Sequence, residues 1–75
     1  MTTEEILEAI STERKRQLEK WGDQEHEQGT WLLILMEEIG EVSQDILQSK
    51  DEEYVFKELI QSAAVIVAWL EDVTR

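Results

Sequence analysis

Apolar residues return at helical rather than alternating intervals along the whole chain. Ile6, Leu7, Ile10, Leu18 and Trp21 keep three-to-four spacing, with Arg14 on the same line. This predicts a first helix from about Thr3 to Lys20, with Thr3 as its N-cap and Glu4 and Glu5 at the positive end of the dipole. Gly22 ends it, and the polar stretch DQEHEQ, Asp23 to Gln28, follows. A second helix is predicted from about Thr30 to Ser49, and a third from Lys50 or Asp51 to about Val73. There is no proline and no alternating β-branched run, so no strand is expected. The link between the last two helices is short enough to predict an antiparallel hairpin, in which residue n faces roughly residue 100 − n.

Two patterns point beyond one chain. From Ala63 to Leu70, AAVIVAWL, every residue is apolar. A helix packed on a single core needs only one apolar stripe, so this one is expected to be covered on several sides. On the second helix Trp31, Leu35, Ile39, Val42 and Ile46 share one side, while Leu33, Met36 and Leu47 lie nearly opposite. The expectation is an all-α, three-helix subunit, a single domain over residues 1–75, that self-associates into a multi-chain bundle.

Length supports that reading. The chain has 75 residues, and a domain of this size buries only about 60% of the surface its unfolded form exposes. There is no cysteine to staple it. The start, MTTEEILEAI, lacks a basic region followed by a long apolar core, so no signal peptide is expected. The longest apolar run is far below the roughly 20 residues that span a bilayer. These features predict a cytoplasmic protein with no membrane partner. The formal net charge of −11 argues against a nucleic-acid polymer as ligand. It still admits a small phosphorylated ligand that arrives with Mg²⁺.

The informative conflict is in WLLILMEEIGEV, Trp31 to Val42. Glu38 lies inside the apolar arc of Trp31, Leu35 and Val42; Glu41 and Asp45 fall at its edge, and Glu37 points further toward water. Glu38 and Glu41 are neighbours at i,i+3 and repel unless a cation sits between them. A solvated helix edge is one reading and a metal site the other. The third helix repeats the conflict, with Glu58 and Gln61 on the side of Val65 and Trp69. The hairpin register brings the two polar pairs to one height. An oxygen-only set without cysteine suits Mg²⁺, or Mn²⁺, better than Zn²⁺.

EIGE, Glu38 to Glu41, a sixteen-residue spacer and ELIQ, Glu58 to Gln61, together resemble the ExxE…ExxD signature of the MazG-like, all-α nucleoside triphosphate pyrophosphohydrolases. ERKRQLEKWGDQEH, TWLLILMEEIGEV and KELIQSAAVIVAWLE are similar to the short members of bacteria, phages and mobile cassettes, so the likeness runs from about Glu13 to Glu71. It implies four-helix-bundle cores built from dimers or dimers of dimers. It also implies Mg²⁺-dependent hydrolysis of (d)NTP to (d)NMP and pyrophosphate, in many members to clear non-standard nucleotides. Glu38, Glu41 and Glu58 match the metal-binding positions. Gln61 stands where the family has aspartate, and a neutral amide is a weaker ligand that puts metal number or affinity in question; Glu37 or Asp45 are the carboxylates near enough to compensate. Glu37, Glu38 and Glu41 are the catalytic candidates, with Glu37 or Glu41 to activate water.

For substrate contacts, Trp21 matches a tryptophan of the family's base pocket and His26 falls near a family histidine. Trp31 fits either core or pocket wall, and Trp69 reads as core. Arg14, Lys15, Arg16 and Lys20 are four of the seven basic residues. They form either a solvated face paired with Glu13 and Glu19 or a cationic rim in which Arg14, Arg16 and Lys20 hold the outer phosphates. His26, in a loop of Glu and Gln, reads more simply as solvent-exposed than as a substrate contact. The rival functions are a non-catalytic helical interaction module and a sensor that holds Mg²⁺–nucleotide without turnover.

Overall fold

A computed structural model describes all residues from Met1 to Arg75. Three helices make up the fold: α1, Thr3–Trp21; α2, Gln28–Leu47; and α3, Glu52–Val73. No strand is present, and no helix is long and apolar enough to cross a membrane.

The helix ends correct the predicted boundaries. The cap of α1 is Thr2 rather than Thr3: its hydroxyl accepts from the Glu5 N–H at 3.1 Å, and Glu5 accepts in return from the Thr2 N–H at 2.9 Å. This reciprocal box satisfies two donors that a helix start otherwise leaves open. Gly22 closes α1 with φ 74° and ψ −178°, a conformation essentially restricted to glycine. Helix α2 starts two residues before the predicted Thr30 and stops at Leu47. After it, the Ser49 N–H donates to the Ile46 carbonyl at 3.1 Å and the Lys50 N–H to the Asp45 carbonyl at 2.9 Å. That is the paired bonding of a Schellman turn, with Ser49 at φ 55° in the place glycine usually fills.

Helix α3 is the centre of the molecule and packs against both α1 and α2, which make no close approach to each other. Small buried residues, Ser62, Ala64 and Ala68, let two neighbours come close to one helix. The Ser62 hydroxyl is satisfied by the Glu58 carbonyl at 2.9 Å. Helix α2 runs antiparallel to α3 in the predicted register. Near one end the Trp69 indole N–H donates to Gln28 Oε1 at 2.5 Å and the Trp31 indole N–H to Asp72 Oδ2 at 2.7 Å; nearer the turn, Glu41 meets Glu58. Helix α1 runs along α3 in the same direction, with Gln17 bonded to the Gln61 carbonyl.

The core is thin. Trp31, Val65 and Ala68 form its centre, flanked by Ile34, Leu35 and Trp69. Of the predicted inward side of α2, Trp31 and Val42 are buried, but Ile39 and Ile46 are exposed. Leu33, Met36 and Leu47 are exposed as well, Leu47 at 82%. In the continuous apolar run of α3, Ala64, Val65 and Ala68 are covered while Ile66 and Leu70 face outward.

Two substitutions check this packing. Ala64 has no exposed surface, so Ala64→Leu is expected to lower unfolding stability in urea by about 1–3 kcal/mol. Ser49→Gly is expected to raise it by about 1 kcal/mol, by removing the left-handed strain without touching any contact.

Candidate functional site

The hairpin register carries Glu58 of α3 to the one-turn group on α2. One carboxylate oxygen each of Glu38, Glu41 and Glu58 lies within 4.8 Å of the others. Glu38 and Glu58 are half-buried and Glu41 is exposed. Glu38 Oε2 and Glu58 Oε2 are fully enclosed and have no hydrogen-bond partner. A buried carboxylate oxygen without a donor is costly, and here two such atoms share one spot.

The charges respond accordingly. Loss of surrounding water, then repulsion from Glu41, Glu13 and Glu37, raises the Glu38 carboxyl above its ordinary range, with Arg16 opposing. Glu58 is pushed up to about 7, first by loss of water and then by Glu41, with Glu38 and Asp45 adding. Asp45, half-buried, therefore contributes its charge to the cluster without being one of its three closest members. Gln61 sits one turn beyond Glu58, half-buried, and its main-chain carbonyl accepts from Gln17 Nε2 at 3.3 Å.

Beside the cluster lies a cleft of about 250 Å³. Arg14, Gln17 and Trp21 of α1 form one wall, Trp31, Glu37 and Glu38 of α2 the other, and Val65 and Ala68 the floor. Glu38 thus belongs to both cleft and cluster. Trp31 combines the two roles open to it, 3% exposed in the core and yet part of the wall. Trp21 is half-exposed at the mouth. Arg14 donates from Nε to Glu71 Oε1 at 2.6 Å, which leaves its terminal nitrogens without a protein partner.

Three predicted substrate residues do not line this cleft. Arg16 is engaged in a two-point bond to Glu13, at 2.7 and 2.8 Å. Lys20 lies over the Trp21 ring, 4.7 Å from its centroid. His26 is half-buried rather than solvent-exposed, because its ring packs edge-on against Trp31 at 4.9 Å and its Nε2 meets Gln24 Oε1 at 3.0 Å. It supports the tryptophan from behind. Trp69 flanks the core as predicted, with its indole N–H tied to Gln28.

Three residues escaped the pattern reading. Glu13 faces Glu38 from α1, and the two-point Arg16 bond holds its carboxyl below the usual range. Gln17 is the one buried side chain of α1; no apolar periodicity marks a polar residue as inward. Asp72 accepts from the His26 main-chain N–H at 2.9 Å, the Trp31 indole at 2.7 Å and Arg75 Nε at 3.1 Å. These donors, His26 first, hold its carboxyl below the ordinary 3.8. It fastens the loop after Gly22 to the end of α3.

Comparison of the chain with family models, with curated proteins and with solved structures finds no match.

A pH dependence follows from Glu58. Its folded-state pKa, about 7, lies above the ordinary 4.5. Between those values the folded chain binds more protons than the unfolded one, so stability falls as pH rises through the window and levels off above it. Urea unfolding at pH 5 and pH 8, without divalent cations, is expected to show the higher midpoint at pH 5. Glu58→Gln is expected to flatten the difference by raising the pH 8 value.

Proposed function

We propose that the chain is a Mg²⁺-dependent nucleoside triphosphate pyrophosphohydrolase that converts (d)NTP and water to (d)NMP and pyrophosphate, in the manner of the MazG-like proteins its sequence resembles, and that it serves to clear the nucleotide pool. One observation carries the reading: two enclosed carboxylate oxygens without partners, Glu38 Oε2 and Glu58 Oε2, converge with Glu41 on one point. Hard oxygen donors with surplus negative charge fit Mg²⁺ or Mn²⁺ and leave nothing soft for Zn²⁺.

Glu38, Glu41 and Glu58 would hold the cation, with neutral Gln61 as the weaker fourth position. A divalent ion bound there neutralises triphosphate charge and makes the α-phosphorus more open to attack. The remaining work falls to this chain's side chains. Glu37 and Glu41 are the exposed carboxylates of the group and the ones able to take the proton of an attacking water. The terminal nitrogens of Arg14, at the cleft wall, would meet the outer phosphates. Trp21, half exposed, offers a ring surface for a base, and the buried Trp31 backs the cleft wall.

The same reading includes assembly. The exposed rows Leu33, Met36 and Leu47 of α2 and Ile66 and Leu70 of α3 suit a multi-chain helical bundle, since a lone chain leaves this much apolar surface in water. The alternative favoured by a specific residue is a sensor. Gln61 lowers the negative charge available to the cation, and a chain of this kind holds Mg²⁺–nucleotide without turning it over.

A panel of standard and modified nucleoside triphosphates, assayed for pyrophosphate in Mg²⁺, separates these readings. At least one substrate is expected to release pyrophosphate, and Glu38→Gln to reduce that rate by about 100-fold or more while the helical circular dichroism is unchanged. Mg²⁺ is expected to raise the wild-type melting temperature and not that of Glu38→Gln. Binding without release selects the sensor; neither binding nor a Mg²⁺ shift sinks both.

A further inference from the structure

The orientation of one buried amide defines a hydrogen-bonding preference for the cleft. Gln17 is 7% exposed and lines the wall beside Glu37 and Glu38. Its Nε2 donates to Glu13 Oε2 at 3.1 Å and to the Gln61 carbonyl at 3.3 Å. Both partners are acceptors only: one is a main-chain carbonyl, the other a carboxylate kept ionised by Arg16. The amide therefore has one possible orientation, with nitrogen toward α3 and Glu13. Its Oε1 receives no hydrogen bond from the protein. It is not among the fully enclosed unpartnered atoms, which are Glu38 Oε2 and Glu58 Oε2. What surface Oε1 keeps is therefore open, on a residue that borders the cleft.

The surroundings sharpen this. The cleft, of about 250 Å³, has room for a nucleobase beside the wall that carries Gln17. Trp21, half exposed, supplies aromatic surface, with the buried Trp31 behind the wall. Facing Gln17 across the cleft are the carboxylates of Glu37 and Glu38, while Arg14, one turn away on α1, is the cationic donor of the same wall. An exocyclic amino group, with two N–H donors and its lone pair delocalised into the ring, is matched to the Gln17 oxygen. A ring carbonyl at the same place would set oxygen against oxygen.

We infer that Gln17 is a specificity-determining residue whose Oε1 accepts a hydrogen bond from the exocyclic amino group of a nucleobase, so that the cleft selects amino-bearing bases over their oxo counterparts. The inference rests on the proposed nucleotide-binding reading and deepens it, directing the cleft to amino-bearing nucleotides, standard or modified, and away from deaminated ones. Glu13 and Gln61 act as positioning groups, because they fix which end of the amide faces the ligand.

The test uses non-hydrolysable α,β-methylene triphosphates with Mg²⁺, in pairs that exchange the amino group for a carbonyl and, with it, the adjacent ring acceptor for an N–H: cytidine against uridine, and adenosine against inosine. Calorimetry of the wild-type chain is expected to give the amino member of the better-bound pair about tenfold tighter binding or more. Gln17→Met, similar in volume and without the acceptor, is expected to bring the two members within about twofold. A measurement without mutation guards against a variant that fails to fold: the N,N-dimethylamino analogue, which has no N–H, is expected to lose the advantage. Equal or tighter binding of the oxo member, a preference kept in Gln17→Met, or full binding of the dimethyl analogue each overturns the assignment while leaving nucleotide binding intact. No binding of any nucleotide removes the underlying reading, and this inference with it.

Discussion

Three carboxylates held together at the seam of α2 and α3 are the constraint around which this molecule is arranged. Oxygens of Glu38, Glu41 and Glu58 within 4.8 Å of one another repel, and two of the six oxygens are enclosed without a protein donor. A helix pair free to slide by one turn would separate Glu58 from α2 and relieve the strain. Sliding is blocked at the other end of the same seam. There Trp31 and Trp69 are each tied by an indole N–H, to Asp72 and Gln28, and Trp31 fills the core with Val65 and Ala68. A full-turn shift would break both bonds and unpack the largest buried side chain, a loss of about 3–5 kcal/mol from the indole alone. The aromatic end fixes the register, and the acidic end bears its consequence.

Helix α1 answers part of that electrostatic problem. Its backbone comes close to α3 and not to α2, yet its Glu13, Arg16 and Gln17 reach toward the cluster. Arg16 neutralises Glu13 by a two-point bond and still offsets some of the charge felt by Glu38. Without Arg16 a fourth unpaired carboxylate would face the same spot. Two cations of the basic stretch are thus used structurally, Arg16 on Glu13 and Arg14 Nε on Glu71. The Arg16–Glu13 pair agrees with the solvated-face reading of that stretch.

The helices and the meeting of Glu38, Glu41 and Glu58 were legible because they depend on spacing and on one short link. Helical periodicity sets which side each glutamate occupies, and a link of four residues, 48–51, leaves little freedom in register. The N-cap was legible too, though misread. Thr2 and Glu5 have the capping-box spacing, which outranks the first threonine to precede a glutamate run. Other features carried no periodic signal. Gln17 is polar and looks like surface, and its burial depends on partners 4 and 44 positions away. His26 sits in a polar loop, and only the tertiary path of that loop, fastened by Asp72, turns its ring onto Trp31. Ile39 and Ile46 share the side of Trp31 on a helical wheel but lie beyond what α1 and α3 can cover. A wheel shows which side is apolar, not how many neighbours are present.

The thin core links stability to whatever occupies the seam. Most of the large apolar side chains remain exposed in the single chain, so hydrophobic burial provides only a modest surplus over chain entropy. Against that surplus stands the repulsion among Glu38, Glu41 and Glu58. Any species that binds the folded seam and not the unfolded chain adds RT ln(1 + [L]/Kd) to stability. For a cation, part of that affinity would come from relieving the repulsion among the three carboxylates. The polar site is therefore not an ornament on an independently stable scaffold. Its unmet oxygens and the uncovered apolar rows are two deficits of one small fold, and each is of a kind that binding corrects.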